Sequence, residues 1–115
     1  MKQMLPIPSR GKIALRGRMV NKEVRMPKFV IERDMPGVGK LTQPDLKSAS
    51  QTSCAVLRDL GTDIQWIHSY VTDDKIYCVY QSTSEELIRE HAKKAGFPAN
   101  KISQIRNVIE PATAE

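Results

Sequence analysis

The chain has no apolar run approaching the ~20 residues that span a bilayer, and its first thirty residues lack the apolar core of a secretory signal. A soluble, cytoplasmic protein with no membrane partner is therefore expected. There are only two cysteines, Cys54 and Cys78, and no C-x-x-C spacing, which argues against a disulfide framework and suits a reducing compartment. The only two histidines, His68 and His91, show no H-x-H, H-E-x-x-H or Cys-plus-His spacing, so no standard metal motif is present. Ser50, Ser53 and Ser69 have no neighbouring base at a recognised spacing, and nucleophilic catalysis gains no support from them. The stretch Pro36 to Thr42 fails as a phosphate loop. Asp34 stands where the first glycine belongs and Leu41 where a hydroxyl must follow Lys40. Internal repeats and low-complexity segments are absent as well.

What is there fits one small domain behind a basic segment. A length of 115 residues suffices for one modest core. The net charge of +5 is unevenly spread: residues 1–25 hold seven Lys or Arg against Glu23 alone, which leaves residues 26–115 with eleven Lys or Arg against twelve Asp or Glu. The basic character belongs to the leading segment, and the nearly neutral remainder has no basic stripe, which disfavours nucleic acid as a partner. Residues 1–25 contain two prolines, two glycines and no sustained period, so disorder is expected. Three readings compete for them: a basic arm for an anionic partner, a targeting presequence, or upstream sequence translated from a misassigned start. The third has a specific argument. Lys22-Glu23-Val24 can be encoded by a bacterial ribosome-binding sequence, with Met26 at the expected short distance beyond it.

From Met26 onward the pattern predicts six elements. Lys28 to Arg33 is short and rich in β-branched and aromatic residues and reads as a strand, closed by the Met35 to Gly39 cluster. A helix follows from Thr42 or Gln43, with Pro44 in its first turn and Leu46, Ala49, Ser53, Val56, Leu57 and Leu60 at helical spacing until Gly61. Ile64 to Thr72 and Lys75 to Gln81 alternate as strands around the tight turn Asp73-Asp74, forming a hairpin. Ser82 to Ser84 offers caps for a second helix, with Glu85 and Glu86 at its start, Lys93 and Lys94 at its end and Gly96 as the stop. Ile102 to Ile109 is predicted to be the last strand. The order β-α-β-β-α-β is that of the α+β ferredoxin-like fold, a four-stranded antiparallel sheet with two helices on one face. The bare sheet face needs a cover, and a second copy of the chain is the simplest one, so a homodimer is expected.

Strict alternation in the second strand places Ile67, Ser69 and Val71 toward the helices and Trp66, His68 and Tyr70 on the bare face, near the dimer interface. Trp66 and Tyr70 are thus the candidates for lining a ligand pocket there. His91 falls at or beside the buried stripe of the second helix, where a histidine is more often a satisfied core residue. Glu32 shares a face with Val30. Glu32, His68 and His91 together form a donor set suited to a borderline divalent metal such as nickel, copper or zinc, although each has an ordinary structural reading too.

Several segments carry a family resemblance: Met26 to Arg33, Ile64 to Val71, Asp74 to Tyr80, Ile88 to Ala92 and Gly96 to Ala99. With these, residues 26–115 closely resemble a bacterial family of uncharacterised domains also called nickel-responsive or nickel-binding proteins. The resemblance implies a small ferredoxin-like dimer that binds nickel, acting as a metal buffer or sensor with no established reaction. In those motifs His68 and His91 are the positions best suited to the metal, with Glu32 next. The alternative is a small enzyme or binding module that takes an organic ligand in the sheet-face pocket, and an enzymatic role is less expected than none.

Overall fold

In the computed structural model, which describes residues 26–115, the first strand shows how the sheet gets its two faces. β1 (Lys28–Asp34) alternates so that Phe29, Ile31 and Arg33 are buried and the residues between them are not. The expectations about residues 1–25 lie outside the described residues. After β1 comes a 3-10 turn (Val38–Lys40), then α1 (Gln43–Leu60), β2 (Ile64–Val71), β3 (Lys75–Ser82), α2 (Glu85–Ala95) and β4 (Lys101–Gln104). A second 3-10 turn, Pro111–Ala114, closes the chain.

Local chemistry sets the element ends. Thr42 caps α1 with a capping box: its Oγ1 accepts from Asp45 N at 3.3 Å, and the Asp45 carboxylate accepts from Thr42 N at 3.1 Å. Ser84 caps α2 by accepting from Leu87 N. Glu85 and Glu86 oppose the positive end of the α2 dipole, and Lys93 and Lys94 the negative end. Gly96, at φ 79°, ends α2 in the left-handed conformation that favours glycine.

The strands are ordered β2-β3-β1-β4, all antiparallel, and the fold is the ferredoxin-like one. Ile31, Phe29, Ile64, Cys78, Tyr80 and Ile88 form the core between sheet and helices, with Leu57, Leu60, Leu87 and Ile102 packed around them. Two expectations need correction. The last strand stops at Gln104, because β4 has a pairing partner only along Phe29–Glu32 of β1, and Val108 and Ile109 are exposed. The second strand does not alternate strictly. Trp66 pairs with Tyr80 but His68 pairs with Val79, so Ile67 is an extra residue in a β-bulge. The bulge turns Trp66 to the helix side together with Ser69 and Val71, while His68 and Tyr70 stay on the open face.

The stretch from Pro36 to Thr42 is docked on the hairpin. Gly39 N donates to Asp73 O at 2.9 Å, and a Cβ on Gly39 would stand 2.7 Å from Asp73 Cα and 2.8 Å from Thr72 O, both immovable backbone. Gly39→Ala is expected to lift this turn off the hairpin at a cost of about 1–3 kcal/mol. Thermal denaturation checks it: an unchanged Tm would show that the close approach contributes nothing to stability.

Candidate functional site

On the open face, register puts the residues in rows across the sheet. One row runs Lys101, Glu32, Tyr77 and Tyr70; the next runs Ser103, Val30, Val79 and His68. His68 is exposed, with its ring edge-on to Tyr70 at 5.0 Å between centroids. Val79 beside it, Tyr77 in the adjoining row and Val30 on the strand beyond are half-buried. Glu32 lies 3.8 Å from Lys75 Nζ, which is also 3.5 Å from Asp34. Asp34 is the main cause of the upward shift in the Lys75 pKa, and Glu32 adds to it. β3 separates Glu32 from His68, a gap of two strand spacings or about 10 Å. The two share a face, but Glu32 is engaged with Lys75 and the two side chains are not paired with each other.

The helix side holds a different set. His91 is fully buried. Its Nε2 lies 3.1 Å from Ser53 Oγ, Ser53 Oγ lies 3.4 Å from Tyr80 OH, and His91 Nδ1 has no partner among the described residues. Burial, and secondarily the Arg33 charge, lower the His91 pKa to about 4 against the opposing effect of a Ser53 hydrogen bond, so the ring is neutral at pH 7. Burial likewise raises the Tyr80 pKa, which keeps the phenol protonated. Arg33, only 2% exposed, donates from Nε to Cys78 Sγ at 3.2 Å and from Nη1 to Pro98 O at 2.7 Å. Its guanidinium carbon lies 5.6 Å from the Phe97 ring centre and 6.0 Å from that of Tyr80. Its Nη2 has no hydrogen-bond partner among the described residues.

Beside Arg33, between α1 and the sheet, lies a cavity of about 200 Å³. α1 contributes Leu46, Ala49, Ser50 and Ser53 to its wall; β2 contributes Trp66, Ser69 and Val71; β3 contributes Ile76, Cys78 and Tyr80. Trp66 Nε1 donates to Ser69 Oγ at 2.9 Å, which satisfies the indole within the wall.

The five residues expected at a site are therefore divided. His68, Tyr70 and Glu32 lie on the open face, whereas Trp66 and His91 lie on the helix side. Trp66 is there because of the bulge. His91 is there because the buried stripe of α2 (Ile88, His91, Ala92) faces the sheet. Trp66 and Tyr70 thus lie on opposite faces of the sheet, as do His91 and His68, so neither pair meets within one copy. Arg33 was missed, although a signal for it existed: the parity that puts Glu32 with Val30 also puts Arg33 with Phe29 and Ile31.

Fold and site define an α+β ferredoxin-like domain with an imidazole on its uncovered face and a charged cavity under its helices. The chain belongs to the SCO4226-like family of nickel responsive proteins, whose profile matches residues 29–105. It is similar in structure to SCO4226 from Streptomyces coelicolor A3(2), known from a crystal structure. The TM-score is 0.61 and the identity 22%, over 71% of this chain and 99% of that one. No curated protein matches. Among the described residues, no helix is long and apolar enough to cross a membrane.

The chemistry of the donors tests how a nickel ion would fit. The cavity does not suit a cation, because Arg33 supplies a fixed positive charge at its wall. The open face offers imidazole, a good donor for nickel, but among the described residues no three His, Cys, Asp or Glu side chains gather around a common point. A nickel site on that face thus needs donors beyond those that the described residues of one copy bring together.

Proposed function

We propose that the domain is a homodimeric nickel-binding protein that acts as a metal buffer or sensor, with the ion held on the open sheet face by His68 and by donors from a second copy. The observation that carries this reading is the position of His68. It is an exposed imidazole on the face that the helices leave uncovered, next to half-buried Val30, Tyr77 and Val79, which a second sheet would cover. The family's nickel response supports the choice of metal. Glu32 is a carboxylate on the same face, and a second copy could bring it across to His68.

Calorimetric titration with nickel tests the proposal. His68→Ala removes the principal donor and is expected to lower affinity at least tenfold, whereas His91→Ala should reduce stability and leave affinity unchanged. Because neutral imidazole is the ligand form, acid should release the metal. Sedimentation at micromolar concentration should give a dimer. Unchanged nickel affinity in the His68→Ala protein would refute the site, and a monomer that still binds nickel would refute the shared one.

A further inference from the structure

Arg33 is a buried cation with no carboxylate partner among the described residues. The ion pairs among the described residues involve Lys75, Arg89 and Lys94, and none reaches Arg33. A buried charge whose hydrogen bonds go only to a thiol and a carbonyl, beside two aromatic rings, is still costly, and a counter-charge relieves that cost. Within a guanidinium, Nε and Nη2 form one edge with two parallel donors. Here Nε donates to Cys78 Sγ, Nη2 is closed to water and has no hydrogen-bond partner among the described residues, and both Arg33 and Cys78 line the cavity. A thiol is a weak acceptor, so a carboxylate that displaces the Cys78 side chain from that edge would replace it with two charge-assisted hydrogen bonds.

The rest of the wall describes the body of such a ligand. Leu46, Ala49, Ile76 and the rings of Trp66 and Tyr80 are apolar surfaces, and the volume of about 200 Å³ is below the roughly 300–1,000 Å³ of pockets for drug-sized molecules. One cationic group among such walls suits a single negative charge. Phosphate would leave oxygens unpaired. We propose that this cavity binds a compact organic monocarboxylate with an apolar or aromatic body, its carboxylate on the Nε–Nη2 edge of Arg33. The site lies on the opposite side of the sheet from His68 and is independent of the nickel reading.

Benzoate, with benzamide as its neutral isostere, tests this on the full chain in the presence of a chelator. Trp66 is the only tryptophan and lines the cavity, so its fluorescence reports occupancy, and Tm gives a second readout. Benzoate is expected to shift the emission saturably and raise Tm, with benzamide at least tenfold weaker. Arg33→Met should abolish that preference. Ala49→Phe, which fills the cavity from α1 and leaves Arg33 in place, should abolish binding of both compounds and keeps the test decisive if the Arg33 variant does not fold. Equal binding of benzoate and benzamide, undiminished benzoate binding in the Ala49→Phe protein, or no binding of benzoate at millimolar concentration would each overturn the proposal. None of these outcomes bears on nickel, which the chelator removes.

Discussion

Acidification from pH 7 to pH 4 is expected to remove about 3 kcal/mol of stability through one residue, His91. The folded protein holds this ring neutral, with a pKa near 4, because it is buried and because Arg33 is close; in the unfolded chain it titrates near its ordinary value of 6.5. Between these two values the unfolded chain binds a proton that the folded one does not. The contribution is therefore complete above about pH 6.5, declines as the pH falls through the window, and is lost near pH 4. Urea denaturation at pH 7, 5.5 and 4 measures the slope. His91→Phe retains a ring of similar shape without the titrating nitrogens, and its stability should lack this part of the acid dependence. If the two proteins lose stability in parallel over this window, His91 is not the group responsible.

Replacing Ile31 by alanine is expected to cost about 3–4 kcal/mol. Ile31 is fully buried at the centre of the sheet, between Cys78 on β3 and Ile102 on β4, and belongs to the same cluster as Ile88 of α2. Truncation there loses the transfer free energy of three carbons and leaves a void that strands paired on both sides cannot easily close. Against the roughly 5–15 kcal/mol of a typical domain, this is a large fraction. The urea midpoint should fall with an unchanged slope. A midpoint within error of the unmodified protein would mean that the core around β1 is not packed as described.

Most of the fold was legible because its signals are local. Thr42, Ser84 and Gly96 mark helix ends by their own hydrogen-bonding and conformational preferences, and Asp73-Asp74 marks the hairpin. Their chemistry acts over a few residues, so neighbours in sequence suffice to read it. The site was less legible because it depends on register. A bulge has no fixed sequence sign, and the one at Ile67 moved Trp66 to the other face. Periodicity placed His91 near the buried stripe, but its partner Ser53 comes from another helix, and no spacing within α2 announces that contact. Arg33 illustrates a different difficulty. Its inward parity could be read from Phe29 and Ile31, yet a charged residue in such a pattern ordinarily suggests an exposed strand edge. Only the packing of Phe97, Pro98 and Cys78 around the guanidinium gives it a place inside.

The bulge at Ile67 also has a mechanical meaning. It acts as a phase shift along β2: residues before it and residues after it point by different parity rules, so one strand serves an inner cavity through Trp66 and an outer surface through His68. Removing that one residue would restore a single phase and force one half of the strand to exchange sides, taking either the indole out of the cavity or the imidazole off the surface. The two sites can vary in side chain independently, but they share one spacer, and its length is a constraint on both.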